Sequence, residues 1–255
     1  MKIYMISLKR DIERREQMQK KFPRYYPKFH IIDAVDAKDE SSAEIIQKYD
    51  KPCPHDKRRP LTKGEKCCAI SHLLALEDFL QSGDERCIII EDDIFGDGRC
   101  FRVAIDIINQ FQQNGLIILG GQQGLKNSKY LCGVKTHIND LWYLKEESRQ
   151  FILRTCCYSV DRNTAKKIIK YQEQGLTRAD NWSRLLNKKT KMYYSNLFEH
   201  PNDSSMSHLE CERKENGVVK KIINDGVLNI CKRNFFKITC YLLILTKKAD
   251  RLLVK

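Results

Sequence analysis

Residues 86–95, RCIIIEDDIF, run an apolar β-branched stretch straight into three consecutive carboxylates, Glu91, Asp92 and Asp93. A chain built this way has to bury a strand and find a use for crowded negative charge at its end. Side chains alternate across a strand, so Glu91 and Asp93 fall on one side and Asp92 on the other for as long as extended geometry persists. Two readings fit. In one, a divalent cation neutralises the pair, because hard cations such as Mg²⁺ take carboxylate oxygens and often keep substrate phosphates as their other ligands. In the other, the three residues form a solvated acidic turn of the kind that commonly follows a strand.

Around that strand the sequence alternates between strand and helix patterns. KIYMISL (2–8) reads as a strand, IERREQMQKKF (12–22) as a helix begun by Asp11, FHIIDAVDA (29–37) as a second strand, and SSAEIIQKY (41–49) as a short helix. A loop rich in Pro and charge, DKPCPHDKRRP (50–60), leads to LTKGEKCCAISHLLALEDFL (61–80). There Thr62 and Glu65 have capping-box spacing, and Ile70, Leu73, Leu74 and Leu76 give a broad apolar face. Beyond the acidic strand come an amphipathic stretch at 102–113, the strand LIILGG (116–121), shorter strands to about residue 160, a helix over TAKKIIKYQ (164–172) and another near 180–187. The pattern predicts an α/β fold with a central, mostly parallel sheet flanked by helices, and a ligand site at the strand carboxyl ends. At 255 residues the length suits one large domain plus a tail.

The opening apolar run is too brief for a signal peptide or a membrane span, so the expected location is the cytoplasm. Eleven cysteines first suggest a disulfide scaffold. The number is odd, two pairs are adjacent (Cys67 with Cys68, Cys156 with Cys157), and neither C-x-x-C nor a Cys/His zinc spacing is present, so reduced core thiols are the expectation. The net charge of +13 is mostly local: residues 213–255 carry eleven Lys or Arg against Glu215, Asp225 and Asp250. Between those charges lies an apolar run, NFFKITCYLLIL (234–245), which suits an amphipathic segment in the headgroup region of an anionic membrane better than a nucleic-acid contact. The plainer alternative is a C-terminal helix docked on the core with a solvated basic face. The domain reading is 1–212 for the enzyme body and 213–255 for the basic tail.

Taken together in order, ISLKRDIERRE, AVDA, LTKGEKCCAISH and IIIEDDI closely resemble glycosyltransferase family 25, the lipooligosaccharide-type galactosyltransferases of Gram-negative bacteria. The likeness continues more faintly through RTCCYSVDRNTAKKI, ADNW and HPNDSSMSHLE, while the last forty residues resemble the family only in being basic. It implies a GT-A-like domain, a nucleotide-sugar donor, a divalent cation (Mn²⁺ or Mg²⁺) at the acidic motif, inversion at the anomeric carbon, and a glycan or glycolipid acceptor. UDP-galactose is the implied donor and lipooligosaccharide the implied acceptor, with the enzyme peripheral on the inner face of the membrane.

On that resemblance Asp93 becomes the direct metal ligand, with Glu91 or Asp92 contacting the metal, its waters or the donor ribose. Arg10 and Arg14, about one turn apart beyond the first strand, are candidates for the donor diphosphate, guanidinium being suited to phosphate oxygens; a solvated helix face is the alternative, and Arg15 competes with Arg14. Glu65, Ser71 and His72 match the family's helix motif, and Glu65 and His72 are assigned to the lining of the donor site, although Glu65 also suits a simple cap and His72 a buried histidine. Gly120 and Gly121 fit either close approach to a ligand or a plain turn. Inverting transfer needs a base for the acceptor hydroxyl. Asp180 in RADNW is the candidate, with Trp182 beside it as a stacking surface for a sugar; the competing role for Asp180 is a helix N-cap. His200 and His208 rank low as further metal ligands. Two other function classes remain: metal-dependent phosphoryl transfer or hydrolysis at the acidic cluster, and a non-enzymatic basic module binding membrane or nucleic acid.

Overall fold

The computed structural model describes residues 1–53, 60–201 and 227–253. In chain order the elements are β1 (Ile3–Ser7), α1 (Ile12–Lys21), β2 (Phe29–Asp33), α2 (Ala43–Tyr49), α3 (Lys63–Gln81), β3 (Arg86–Glu91), α4 (Gly98–Gln110), β4 (Leu116–Gly120), β5 (Cys132–Lys135), β6 (Trp142–Leu144), β7 (Cys157–Asp161), α5 (Arg162–Glu173), α6 (Trp182–Leu185), β8 (Met192–Phe198), α7 (Val227–Leu245) and β9 (Asp250–Arg251). The strands form one sheet in the order β2-β1-β3-β7-β4-β8-β6-β5-β9. From the pairings, β1, β2, β3, β4, β8 and β5 run one way and β7, β6 and β9 the other. This is the α/β fold the sequence predicts, with a mixed sheet in which most strands share a direction.

The period-two alternation sorts the core into two faces. Tyr4, Ile6, Cys87, Ile89, Leu116 and Ile118 pack with α3, α5, α6 and α7. Ile3, Met5, Ile88, Ile90, Ile117 and Leu119 pack with α1 and α4 on the other side. Central strands covered on both faces are apolar at successive positions, which is why RCIIIE reads as a continuous run. Ile88, Ile89 and Ile90 are fully buried, each contributing about 1.5–3 kcal/mol. That packing fixes the strand whose end must hold the mutually repelling carboxylates.

Local signals place the surrounding helices. Thr62 and Glu65 form the capping box at the start of α3, each side chain bonding the other's backbone N–H. The Ser71 hydroxyl donates to the Cys67 carbonyl and accepts the Val35 N–H, tying α3 to the loop after β2. The fold itself requires Gly120 and Gly121. The β4–β8 register shifts beside Gly120, where a Cβ would collide with the Phe198 carbonyl oxygen; at Gly121, φ is 76° and a Cβ would collide with Cys156 Sγ.

The C-terminal segment is joined to this body. Phe236, Cys240, Leu243 and Ile244 of α7 pack into the core, and β9 adds to the sheet edge beside β5. The 212/213 boundary lies outside the described residues, as do His208, Lys220 and Lys221. Among the described residues no cysteine is joined in a disulfide, and six of the ten are buried. Among the described residues, no helix is long and apolar enough to cross a membrane.

Candidate active site

Parallel strands deliver their carboxyl ends to one edge. There β1 brings Ser7 and the turn into α1, β2 brings Asp33 and Asp36, β3 brings the acidic cluster, and β8 brings His200 two residues beyond its last strand residue. β7 runs the opposite way, so its amino end meets the same edge, with Arg154, Thr155 and Cys156 leading into it; the Cys156 carbonyl accepts the Glu91 N–H.

The strand ends at Glu91, and Asp92 and Asp93 sit in a turn, yet the three carboxylates still separate. Glu91 faces α3: its Oε1 lies 3.2 Å from His72 Nε2 and accepts the Thr155 hydroxyl. His72 Nδ1 is 3.0 Å from the Tyr158 hydroxyl, so the ring is held from both ends. Asp92 faces α1, where Arg14 Nη1 approaches its Oδ1 at 3.0 Å and reaches Asp93 Oδ2 at 3.6 Å. Asp93 Oδ2 is also 3.6 Å from His200 Nε2. His200 Nδ1 lies 2.8 Å from the Pro201 carbonyl, which can only accept, so Nδ1–H is the donor there and Nε2 is the ring nitrogen turned toward the acid, the orientation metal-ligating histidines use.

Burial works against the charged form of Glu91, but His72, by hydrogen bond and charge, and the Thr155 hydroxyl overcome it and hold its carboxyl at about 2. Asp93 goes the other way. Burial and the Glu91 charge push it up to about 6, with His200 and Arg14 only partly compensating. Two adjoining carboxyls driven apart by their surroundings are a mark of a functional site. The carboxyl oxygen Asp93 Oδ1 is buried with no hydrogen-bond partner among the described residues.

A divalent cation fits these residues. One ligand atom each from Glu91, Asp93 and His200 lie within 4.8 Å of one another, and two carboxylates with an imidazole are a donor set for a cation of the Mn²⁺ or Mg²⁺ kind. The ion would also satisfy the orphaned Asp93 oxygen.

The raised carboxyl has a stability consequence. Between the ordinary value of 3.8 and about 6 the folded protein holds a proton that the unfolded chain has released, so metal-free stability falls as pH rises through that window. Asp93→Asn removes the penalty. The metal-free variant should melt above the parent at pH 7.5, by up to about 3 kcal/mol at 1.36 kcal/mol per pH unit, and match it at pH 4. A variant less stable than the parent at pH 7.5, measured by calorimetry, contradicts the charge assignment.

The other sequence-predicted residues divide. Arg14 stands on the acidic cluster, whereas Arg10 pairs with Asp36 of AVDA at the same sheet edge. Arg15 bonds the Ser7 hydroxyl and carbonyl and Asp33, joining the ends of β1 and β2. Glu65 spends one oxygen on the Thr62 N–H and the other on Arg178 Nε at 3.1 Å, so it anchors α3 to the RADNW segment. Asp180 is not the helix cap: Asn181 occupies that position, and Asp180 Oδ2 instead accepts the Arg154 N–H at 3.2 Å. Trp182 cannot stack on a sugar. Its ring is buried against Tyr158, and its Nε1 donates to the Arg154 carbonyl.

Several residues with a part in the site had no assigned role. Arg154 adopts φ of 63° and donates to the Gly121 and Gln123 carbonyls, while Asp180 and Trp182 hold its backbone. Thr155 then meets Glu91. Lys21, at the end of α1, lies over the half-exposed Phe95 ring at 4.1 Å. Burial lowers its pKa, with Arg14 adding to the effect and Asp93 opposing it. A basic residue in the last turn of a helix is an ordinary helix-end signal, and the sequence offers no other pointer to Lys21.

The model of Glycosyltransferase family 25 (LPS biosynthesis protein) matches residues 1–183, which include every site residue above except His200. The chain belongs to glycosyltransferase family 25. Among similar family 25 proteins, the lipooligosaccharide biosynthesis protein lic2B of Haemophilus influenzae is 33% identical over 91 residues, covering 36% of this chain and 33% of that protein. A glycosyltransferase 25 family member of Anopheles gambiae is 28% identical over 217 residues, covering 81% of this chain and 33% of its own length. The mouse protein named inactive glycosyltransferase 25 family member 3 is 30% identical over 132 residues, covering 48% of this chain and 22% of its own. The matches thus span a third or less of these relatives. Among solved structures, mannose-1-phosphate geranyltransferase from Thermus thermophilus superposes with a TM-score of 0.43 at 12% identity, covering 78% of this chain and 74% of the other.

Proposed function

We propose that this chain is an active, metal-assisted glycosyltransferase that moves galactose from UDP-galactose, with inversion, onto a lipooligosaccharide or related glycan. Because one similar family 25 protein is named inactive, we rest activity on the site rather than on membership. The observation that carries it is the convergence of Glu91, Asp93 and His200 at the carboxyl edge of the sheet, together with an Asp93 oxygen that is buried and has no hydrogen-bond partner among the described residues.

When bound, Mn²⁺ or Mg²⁺ supplies positive charge against the donor diphosphate as that group leaves. Glu91, Asp93 and His200 would hold the cation, and His72 and Thr155 keep Glu91 ionised and oriented. Arg14 anchors Asp92 and Asp93 and lends its own charge to the phosphates. The acceptor hydroxyl attacks the anomeric carbon from the face opposite the diphosphate; the new C–O bond forms as the old one breaks, and its electron pair leaves on the phosphate oxygen. Asp180 takes the hydroxyl proton. A thermal-shift panel of nucleotide sugars with and without Mn²⁺ tests the donor: UDP-galactose should raise the melting point only with the cation, by mass action. Product release without an acceptor would favour the hydrolase alternative.

The tail provides the second partner, an anionic membrane surface. With its inner face docked on the core, α7 leaves Phe235, Ile238, Tyr241, Leu242 and Leu245 exposed, which recur at three- and four-residue intervals on one side of the helix. Lys232, Arg233, Lys247, Lys248 and Arg251 are exposed around them. An apolar stripe ringed by cations complements anionic headgroups over an acyl layer. Binding to anionic vesicles should weaken as salt rises, and Ile238→Glu with Leu242→Glu should reduce it about 10-fold or more. Equal binding to neutral vesicles, or a salt-insensitive dimer that the double variant dissociates, overturns this surface.

A further inference from the structure

On the α3 side of the acidic cluster a second set of ligand atoms converges. Cys68 and His72 stand four residues apart on α3, so their side chains share a face one turn apart. One ligand atom each from Cys68, His72 and Glu91 lie within 4.8 Å of one another. We propose that these three residues form a zinc site distinct from the hard-cation site, and that the two compete for Glu91.

The geometry is already near what tetrahedral zinc needs. Zinc–nitrogen and zinc–oxygen bonds of about 2.0–2.2 Å put neighbouring ligand atoms roughly 3.3 Å apart. His72 Nε2 and Glu91 Oε1 stand at 3.2 Å. Three protein ligands leave a fourth position for water, the usual form of an open zinc site. The Tyr158 hydroxyl at His72 Nδ1 provides the outer contact that orients a ligating imidazole. Bonds and protons balance simply. Cys68 loses its thiol proton to solvent as the S–Zn bond forms, and the His72 ring proton shifts to Nδ1, where it donates to the Tyr158 oxygen. Nε2 then gives its lone pair to zinc, with no redox change; one proton is released per ion from the neutral imidazole, and a second, from Nε2, where His72 starts as the imidazolium paired with Glu91.

The ligand chemistry separates the two sites. Thiolate favours zinc and leaves Mg²⁺ and Mn²⁺ to carboxylates, so Cys68 has no use for the cation at Asp93 and His200. Glu91 is shared, and a zinc ion drawing on it removes one ligand from the other cation. The zinc site itself needs no sugar transfer; only the antagonism rests on the reading of Asp93 and His200 as hard-cation ligands.

Cobalt is a visible stand-in for zinc. Titrating the full chain with Co²⁺ should produce a thiolate-to-cobalt charge-transfer band that one equivalent of Zn²⁺ abolishes. Cys68→Ser should lose the band, while Cys231→Ser, which changes an exposed thiol, and His200→Ala should keep it. A band that survives in folded Cys68→Ser overturns the site. If Cys68→Ser fails to fold, His72→Gln serves instead and should weaken Zn²⁺ by about 100-fold or more, since loss of even an outer partner costs 10–100-fold; unchanged affinity overturns the site equally. Mn²⁺ binding, followed by its electron paramagnetic resonance signal, should weaken as zinc fills Cys68. Zinc bound at Cys68 with Mn²⁺ undisturbed refutes the antagonism and leaves the hard-cation reading standing.

Discussion

Asp93→Asn is expected to abolish metal-supported sugar transfer, by about 10²–10⁴-fold, while the chain still folds. The magnitude follows from the several kcal/mol of charge stabilisation that a cation on the leaving phosphate supplies, at about 1.36 kcal/mol per factor of ten. Folding survives because the substitution removes a carboxyl that burial and Glu91 already disfavour in its charged form. The paired measurements are the transfer rate with saturating Mn²⁺ and the Mn²⁺-induced change in melting temperature. Both should vanish together. Full activity in the variant, or parent activity that persists in EDTA, refutes the metal assignment.

Below pH about 6 the parent should lose metal affinity for the same electrostatic reason. Protonating Asp93 takes away a ligand that the cation must deprotonate to use. Glu91 stays ionised through that range, since His72 and Thr155 hold it near 2. One carboxylate is thereby kept charged for the ion, and the other is charged at little cost once the ion arrives.

Much of this edge was legible from the sequence because its signals are local. The apolar run into Glu91 fixes a buried strand, Thr62 and Glu65 fix the start of α3, and the alternation of Tyr4 and Ile6 against Ile3 and Met5 fixes which face meets which helix. Of the site's later members, the sequence offered His200 only as a low-ranked metal ligand and Thr155 not at all, for a topological reason. His200 reaches Asp93 only because β8 lies beside β4, parallel to it, and Thr155 reaches Glu91 only because β7 runs antiparallel between β3 and β4. No spacing along the chain encodes such an insertion. Trp182 was misjudged on the same ground: an aromatic beside a candidate base looks like a sugar platform until the packing of Tyr158 closes over it. The tail carried two messages at once, since a helix can bury Phe236 and Cys240 on the core and still present Phe235, Ile238 and Leu242 outward.

The second large effect is expected at Asp180. Its Oδ2 accepts the Arg154 N–H, and Arg154 precedes the threonine that bonds Glu91, so the residue braces the site, and on the proposed reading its carboxylate also serves the acceptor. Asp180→Asn separates those duties. An amide oxygen accepts the same backbone N–H, so the brace survives, the melting temperature should move little, and donor affinity should persist. An amide cannot take a proton from an acceptor hydroxyl, so the transfer rate should fall by about 10²-fold or more. Glu65 offers no replacement, because both of its oxygens are committed, to Thr62 and to Arg178. A near-parent rate in Asp180→Asn would reduce Asp180 to the brace. Loss of donor binding together with transfer would move it into the donor site. A slowed rate with donor affinity intact, and with Asp180→Ala both slow and less stable, is the pattern of a base that also holds its loop.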